Sequence, residues 1–346
     1  SGFIGSCFVL QRIAAGDRVI NLDKLTYSGN PDNLREVEDK PNYRFVHGDI
    51  GDSECVKKIL EEEQPDAVVN FAAESHVDRS ILDPDIFVKT NVLGTEVLLR
   101  TVKDWWLKLP GEKKDAFRFH HVSTDEVYGS LHLNDPAFTE ETPYSPNSPY
   151  SASKASSDHF ARAFHETYGL PVLITTCSNN YGPRQFPEKL IPLMTLNALE
   201  GKPLPIYGSG QNIRDWLHVE DHCEAIYEVL TRANPGQTYN IGGRSERANL
   251  TIVHKICEIL DRIKPRADGA SYNDQIKYVT DRQGHDFRYA IDISKIECEL
   301  GWTPKHKFEE GLEETVKWYL TNTEWVDHVR SGEYQKWIEK NYKERL

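Results

Sequence analysis

The sequence predicts an α/β protein, with a doubly wound parallel sheet followed by a smaller α/β domain. Three observations support this prediction. Short apolar runs alternate with helical stretches through the first half of the chain, a glycine pair followed by helical sequence stands at its start, and Gly- and Pro-rich segments follow residue 180. A length of 346 residues fits two domains and allows a large buried core.

The first half contains predicted strands separated by helices. Each strand is a short apolar run, as expected for a strand that is buried in a parallel sheet. The last helix has signals at both ends, because Ser148 suits the N-cap, Pro149 the first helical position and Gly169 the C-cap. The predicted strands are 18–22, 43–47, 67–72, 117–123 and 172–177, and the principal helices are 52–63, 86–103 and 148–168.

The character of the chain changes near residue 178. We expect residues 1–178 to form the sheet domain, with a segment around 211–243 returning to it, and residues 179–346 to form mainly a second, ligand-binding domain. The stretch 181–210 is rich in Gly and Pro, which is typical of loops around a site. The tail is rich in Trp, Tyr and charged residues, which indicates a docking helix.

Composition excludes several classes of protein. There are 54 acidic and 41 basic side chains, for a net charge of -13, which argues against nucleic-acid binding but allows a small phosphorylated ligand. No apolar run is long enough to span a membrane, and no signal peptide is visible. The six cysteines are scattered, without a CxxC pair. We therefore expect free thiols, a cytoplasmic location and no metal site.

The chain opens with SGFIGS, which indicates part of a dinucleotide-binding turn. Gly2 and Gly5 precede helical sequence, whose N-terminus offers free N–H groups to a pyrophosphate. Asp23 ends a predicted strand about twenty residues later, where it can bind the adenosine ribose and favour NAD over NADP. Its alternative is a turn or cap residue. Asp49 either bonds the adenine or caps the next helix. The first strand and first glycine expected of a Rossmann-type motif do not appear in the sequence.

A possible base lies on the long helix. Tyr150 and Lys154 are four residues apart and therefore share a helix face. An ammonium near the phenol lowers its pKa, so that the pair can deprotonate an alcohol while a hydride leaves its carbon. The alternative is an exposed helix pair, because Y-x-x-x-K is frequent by chance.

Polar residues follow the strand at 117–123. Ser123 and Thr124 close it where a parallel sheet opens onto its ligand, so that a hydroxyl can bond the reacting oxygen. Asp125 and Glu126 come next and are either a capping pair or an acid and a base held in different protonation states.

The sequence resembles the dTDP-glucose 4,6-dehydratases, a family of the extended short-chain dehydrogenase/reductases. The resemblance rests on STDEVYG, SPYSASKASSDH, CSNNYGP, FPEKLIP, PIYG, IRDWLHVEDH, YNIGG and DRQGHDFRYAID, and runs from the first residue to the last turn. It implies tightly bound NAD that is regenerated in each turnover, and conversion of dTDP-glucose to a 4-keto-6-deoxy sugar for deoxysugar biosynthesis, commonly of dTDP-rhamnose. It also implies a homodimer through the helices 86–103 and 148–168.

The resemblance assigns a role to each of these positions. Tyr150 is implied to be the base and Lys154 its partner, with Thr124 holding the C4 hydroxyl, Asp125 the general acid and Glu126 the general base. The residues implied to bind NAD are Gly2, Phe3, Ile4, Gly5, Asp23, Lys24, Leu25, Thr26, Asp49, Ile50, Phe71, Ala72, Ala73, Ser75, Thr90, Ser123, Tyr150, Lys154, Ser178 and Asn180. Those implied to bind the nucleotide sugar are Glu74, Thr124, Asn179, Glu188, Lys189, Leu190, Pro205, Tyr207, Arg214, Asn249, Arg282, His285 and Tyr334.

Several of these assignments have plainer alternatives. Arg214 and Arg282 suit a diphosphate, because guanidinium groups match phosphate oxygens, but each could be a surface salt bridge. His285 could donate to a phosphate or be a structural histidine. Tyr207 could stack on a base or pack inside a loop.

Other functions would use much of the same site. A 4-epimerase shares the Tyr150 and Lys154 chemistry but needs no elimination catalysts, so the acidic pair argues against it. A GDP-mannose 4,6-dehydratase usually prefers NADP, which Asp23 disfavours. A UDP-glucuronate decarboxylase would need a site for a 6-carboxylate. A non-catalytic NAD-sensing regulator, from a different class of protein, could dispense with the tyrosine base.

Overall fold

The structure, a computed structural model, describes residues 1–330. Strands and helices alternate in it, which confirms the predicted α/β class. The strands are β1 (Val19–Asp23), β2 (Tyr43–His47), β3 (Ala67–Asn70), β4 (Arg118–Thr124), β5 (Val172–Cys177), β6 (Asn179–Tyr181), β7 (Leu204–Tyr207), β8 (Ile213–His218), β9 (Thr238–Ile241), β10 (Glu246–Ala248) and β11 (Ile276–Val279).

The helices cover both faces of the sheet and build most of the C-terminal part. They are α1 (Phe3–Ala14), α2 (Ser53–Glu63), α3 (Val77–Leu82), α4 (Asp85–Phe87), α5 (Thr95–Trp106), α6 (Gly111–Ala116), α7 (Pro149–Tyr168), α8 (Leu190–Leu199), α9 (Val219–Arg232), α10 (Asn249–Ile263), α11 (Ser294–Leu300), α12 (Phe308–Thr321) and α13 (Thr323–Val329). Short 3₁₀ helices cover Pro31–Val37, Asp125–Tyr128 and Tyr272–Gln275. No helix in residues 1–330 is both long and apolar enough to cross a membrane.

The main sheet is parallel and has the order β3-β4-β5-β9. A second parallel sheet pairs β1 with β2. Within residues 1–330 the edges of β1 and β3 are not paired with each other, and residues of both strands line one cavity. The described residues therefore form these two parallel sheets on either side of the cavity.

The segment around 211–243 contributes to both parts of the molecule. β8 pairs with β6 and β10, whereas β9 joins the main sheet beside β5. α9 lies between them in sequence and packs on α1 through buried apolar residues such as Phe8 and Cys223. A separate core gathers α8, α10 and α12 around β7, including Ile191, Ile256 and Leu312.

The helix predicted over 86–103 is interrupted. α4 is followed by a π-helical turn over Val88–Gly94, and α5 begins only at Thr95. This turn carries the buried Asn91, whose Oδ1 accepts from the Glu74 backbone N–H at 2.8 Å and whose Nδ2 donates to the Glu74 carbonyl at 2.9 Å. The turn thereby braces the chain that leaves β3, a tertiary contact that helical periodicity does not show.

Helix α7 forms as its sequence signals predict. Ser148 and Ser151 form a reciprocal capping box at its start, Pro149 is its first residue, and Gly169 ends it with φ of 71°. Its buried face carries Tyr150, Lys154 and, one turn further on, Asp158. The N-terminal half of α7 thus holds the predicted base against the end of β4.

Candidate active site

A cavity of about 1080 Å³ runs along the gap between β1 and β3 and reaches the carboxyl ends of the parallel strands. Nearly all of the residues predicted to bind the cofactor line it, Leu25 being the exception. The predicted catalytic residues line it as well, as do Glu74, Asn179, Glu188 and Lys189. Ligands of open α/β sheets bind at this edge, so the sequence prediction and the cavity coincide.

The N-terminus of α1 points its free N–H groups toward this cavity. Gly2 precedes the helix, and no side chain caps it. A Cβ on Gly2 would come no closer than 3.9 Å to another protein atom, and one on Gly5 no closer than 3.8 Å, so packing within the protein does not demand glycine. Because neither glycine has a side chain, the N-terminus of α1 stays open to a phosphate group, which fits a dinucleotide cofactor.

Asp23 lies at the end of β1, as predicted. Its Oδ1 accepts from the Leu25 N–H at 2.7 Å, and Leu25 has φ of 52°, so Asp23 also holds a tight turn at the edge of the cavity. Asp49 forms an ion pair with Lys24 at 2.6 Å and accepts from the Gly51 N–H. The cap of α2 is Asp52, so the alternative of Asp49 as that cap is wrong.

The acidic pair lies in the short helix that follows β4. Thr124, not the acids, caps this helix by accepting from the Glu126 N–H at 3.3 Å, so the alternative of a capping pair is wrong. Asp125 is 1% exposed, and Glu126 is partly exposed toward the cavity. Gly129, at φ of 94°, ends the helix where a Cβ would lie 2.5 Å from the Ser145 carbonyl.

The two carboxyl groups have different electrostatic surroundings. Burial raises the pKa of Asp125 well above its usual range, and Glu126 and Asp215 add to the effect. Burial also raises the pKa of Glu126, but Arg282, Lys189 and Arg214 oppose that shift. These surroundings favour the protonated form of Asp125 and oppose protonation of Glu126, as an acid and a base require.

Tyr150 and Lys154 are both buried beside the pair, but their contacts correct one expectation. The Tyr150 hydroxyl hydrogen-bonds the side chain of Thr124, and burial, with Glu126, raises the pKa of Tyr150 well above its usual range. Lys154 Nζ donates to the Val122 carbonyl at 2.8 Å, and burial lowers its own pKa. The expected lowering of the phenol pKa by Lys154 is therefore not produced by the protein alone.

Ser123 faces the protein more than the cavity. Its hydroxyl donates to Asp158 Oδ2 at 2.6 Å. The sequence suggested that a hydroxyl at this strand end bonds the reacting oxygen, but that of Ser123 is already engaged. Thr124, which is 8% exposed beside Tyr150, is the better placed of the two hydroxyls.

The predicted diphosphate residues are not salt-bridged within residues 1–330. Arg214 is buried and donates to the backbone carbonyls of Ile213 and Asp286 at 2.7 and 3.0 Å. Arg282 Nε is buried without a hydrogen-bond partner among the described residues. Neither guanidinium forms an ion pair within residues 1–330, and both act electrostatically on Glu126, which fits a site for an anionic ligand.

The other predicted sugar-nucleotide residues lie beyond the cavity wall. The Tyr207 hydroxyl donates to Asp78 Oδ2 at 3.0 Å, and its ring meets that of His285 edge-on. His285 Nδ1 lies 2.6 Å from Asp281 Oδ1, and its pKa is lowered to about 4, mainly by burial. Within residues 1–330 the members of the predicted set that do not line the cavity are Leu190, Pro205, Tyr207, Arg214, Asn249, Arg282 and His285. Tyr334 lies outside the described residues.

Sequence reasoning missed a polar cluster at the mouth of the cavity. Glu188 accepts from Arg79 Nε at 3.1 Å and from the Tyr27 hydroxyl at 2.9 Å. The Arg79 guanidinium also lies 3.8 Å from the centre of the Tyr27 ring. No motif joins these residues, since Arg79 and Glu188 are 109 positions apart.

Comparisons with known proteins show which family this chain resembles. The family model described as GDP-mannose 4,6 dehydratase matches residues 1–315. A dTDP-glucose 4,6-dehydratase of Xanthomonas campestris pv. campestris is 60% identical over 335 residues, which cover 97% of this chain and 95% of the relative. A dTDP-glucose 4,6-dehydratase of Streptomyces venezuelae, solved with NAD and TYD bound, is 47% identical with a TM-score of 0.86, covering 95% of this chain and 97% of that one.

A UDP-glucose 4-epimerase of Thermotoga maritima, solved with UDP-glucose, shares the fold at a TM-score of 0.81 but only 28% identity, covering 93% of this chain and 97% of that one. These neighbours confirm the predicted Rossmann-type sheet. The sequence identity of this chain is much higher to the two dehydratases than to the epimerase. The chain belongs to the dTDP-glucose 4,6-dehydratase family of the extended short-chain dehydrogenases/reductases.

Proposed function

We propose that this protein is an NAD-dependent lyase that converts dTDP-glucose to dTDP-4-keto-6-deoxyglucose. The observation that carries the proposal is the pair Asp125 and Glu126, which line the same cavity as Tyr150 in different electrostatic surroundings. An elimination needs an acid and a base together, and simple alcohol oxidation or epimerisation does not. High identity to dTDP-glucose 4,6-dehydratases over nearly the whole chain supports the choice of substrate.

The first step is oxidation of the sugar at C4. Tyr150 takes the proton of the C4 hydroxyl, and Thr124, which bonds the Tyr150 hydroxyl, holds the same oxygen in place. NAD, when bound, accepts the hydride from C4 and later returns it to C6. Burial and the nearby Glu126 raise the pKa of Tyr150, so the positive charges of Lys154 and of the oxidised cofactor are what make it a base.

Elimination and reduction follow at C5 and C6. The new C4 ketone makes the C5 proton acidic, and Glu126 removes it. Asp125 gives its proton to the departing C6 hydroxyl, which leaves as water, and C5 is reprotonated after C6 is reduced. The cations Lys189, Arg214 and Arg282 favour the ionised form of Glu126 and suit the diphosphate of the substrate.

The cofactor site consists of the α1 N-terminus, the strand ends and α7. The amides after Gly2 suit the pyrophosphate, Asp23 the adenosine ribose, and Tyr150 with Lys154 the nicotinamide ribose. The carboxylate of Asp23 disfavours the 2′-phosphate of NADP. We retain residues 1–178 with 211–243 as the proposed cofactor domain, and the remainder as the proposed nucleotide-sugar domain.

We also propose a homodimer and a cytoplasmic location. Exposed apolar side chains gather on α3, α4, the π-helical turn and α7, which contact one another. They are Leu82, Ile86, Val88, Leu93 and Phe160. Such a patch is typical of a subunit interface. A reducing compartment is supported by the six cysteines, all of which are free thiols.

Product analysis tests the proposed reaction. The protein is incubated with NAD and, separately, with dTDP-glucose, UDP-glucose and GDP-mannose. We expect dTDP-glucose to give the 4-keto-6-deoxy product, which is detected by its absorbance in alkali and by mass. Formation of a 4-epimer of unchanged mass, or faster conversion of either other nucleotide sugar, would contradict the proposal.

A further inference from the structure

A buried polar network lies on the protein side of the predicted base. Asp158 follows Lys154 by one helical turn on α7 and is 2% exposed. Its Oδ2 accepts from the Ser123 hydroxyl at 2.6 Å and from the Tyr144 hydroxyl at 3.1 Å. Its Oδ1 lies 3.2 Å from His121 Nε2. A carboxyl that accepts two hydroxyl hydrogen bonds at one oxygen suits the ionised form.

The ring of His121 is oriented from the opposite side. The Ala72 N–H donates to Asn70 Oδ1, which turns Asn70 Nδ2 toward His121 Nδ1 at 3.3 Å. His121 Nδ1 therefore accepts, and Nε2 carries the proton; Nε2 lies 3.1 Å from Ser157 Oγ and 3.2 Å from Asp158 Oδ1. The ring also places Nε2 3.4 Å from Lys154 Nζ, so the amine and the carboxylate share one neighbour.

Lys154 needs a countercharge at this depth. The titratable groups that face it are Tyr150 and Asp158 on its own helix, His121 on β4 and Cys177 on β5. Burial raises the pKa of Tyr150 and of Cys177 and lowers that of His121, so these three are neutral near pH 7. Burial lowers the pKa of Lys154, and the carboxylate of Asp158 opposes that shift.

We propose that Asp158 is a positioning residue of the active site, whose buried carboxylate keeps the Lys154 side chain charged and holds Ser123 and His121 in place behind it. This inference deepens the proposed function, because the charge on Lys154 is what turns the Tyr150 phenol into a base. Asp158 does not line the cavity, so we expect it to act only through Lys154 and Tyr150. It is also distinct from the acid and the base of the elimination.

The direct test is the titration of Lys154 in the holoenzyme. Lysine labelled with ¹³C at the ε carbon is followed by NMR, and the Lys154 signal is assigned by its loss in Lys154→Met. We expect the midpoint to fall by about one pH unit or more in Asp158→Asn, the scale of an opposite charge at close range. Tyr144→Phe, the matched control, removes one hydrogen bond to Asp158 but keeps its charge, and should leave the midpoint unchanged.

Activity gives a second readout. In Asp158→Asn the alkaline limb of kcat should move to lower pH, because Lys154 loses its proton earlier, while KM for the nucleotide sugar changes little. Asp158→Glu should restore the wild-type limb. If Asp158→Asn does not fold, Asp158→Ser removes the same charge and leaves room for water. An unchanged Lys154 midpoint in the neutral variants would overturn the inference.

The two readouts also separate this inference from the proposed function. The NMR titration needs no substrate. A wild-type protein that gives no 4-keto product would refute the proposed function, and the Lys154 midpoint would still decide the role of Asp158.

Discussion

Asp125 and Glu126 are adjacent in sequence and chemically alike, yet the structure treats them differently. Asp125 is enclosed, and the positive charge that opposes its raised pKa comes from Arg214. Glu126 borders the cavity and faces three cations. The elimination needs both the acid and the base, so we expect replacement of either residue to slow that same step.

Replacement of either acid should block elimination while leaving oxidation possible. Glu126→Gln and Asp125→Asn are each expected to lower the rate of 4-keto-6-deoxy product formation by about 10² to 10⁴, the usual contribution of a general acid or base. Transient NADH should still appear at 340 nm when dTDP-glucose is added, because Tyr150 is intact. Parent-rate turnover in either variant would show that its assignment is wrong.

At the scale of elements, α7 organises the site along its length. Its first turn carries Tyr150, its second Lys154 and its third Asp158, all on the buried face. The capping box of Ser148 and Ser151 starts the helix two residues before the base, so the position of Tyr150 depends on where the helix begins.

Loss of this cap should affect stability and catalysis together. We expect Ser148→Ala to lower the free energy of unfolding by about 1 kcal/mol, the usual value of an N-cap, and kcat to fall severalfold. Asp52→Ala removes the N-cap of α2, whose Oδ1 accepts from Glu54 and Cys55 at 3.1 Å, and is the matched control. It should cost similar stability in urea denaturation but leave kcat unchanged. Equal effects on kcat would contradict the special role of the α7 cap.

At the scale of the whole molecule, charge is unevenly distributed. The chain carries a net charge of -13, but Arg79, Lys189 and Arg282 act together on His76, and Lys189, Arg214 and Arg282 act together on Glu126. Several histidines in the protein interior, by contrast, are neutral near pH 7, because burial lowers their pKa. Burial lowers the pKa of His120 and of His222 to about 3, and that of His218 to about 4.

These histidines should make the fold sensitive to acid. As the pH falls, a histidine whose pKa is lowered by folding binds a proton in the unfolded chain before it does so in the folded one. The folded state is therefore fully stabilised above the unfolded-state pKa of about 6.5 and loses that stability as the pH falls toward the folded-state pKa. For His120, we expect a loss of about 2 kcal/mol at pH 5 relative to pH 7.5. Urea denaturation of His120→Gln and wild type at both pH values measures it. A variant as sensitive to pH as wild type would contradict the assignment.

Self-association is expected to depend on the apolar patch near the π-helical turn. Leu93 is 55% exposed there, and a lysine in its place should weaken the dimer at least about tenfold in sedimentation velocity, because its charge would be buried without a partner. Tyr278, 62% exposed on β11, is the control, and Tyr278→Lys should leave association unchanged. A wild-type protein that sediments as a monomer would contradict the proposed interface.

Much of this molecule could be predicted from short stretches of sequence. The strands 43–47 and 172–177, the caps of α7, the glycines at the α1 N-terminus and the acidic pair after β4 all agree with the structure. Each depends on residues a few positions apart, whose spacing sets backbone geometry and therefore which face or strand end a side chain occupies.

What only the tertiary structure decided depends on residues far apart in the chain. It gave Asp125 and Glu126 different electrostatic surroundings, paired Ser123 with Asp158 and Arg79 with Glu188, and showed that burial raises the pKa of Tyr150. The physical reason is that pKa values and hydrogen-bond partners depend on what surrounds a group in space, and no local pattern in the sequence records those surroundings.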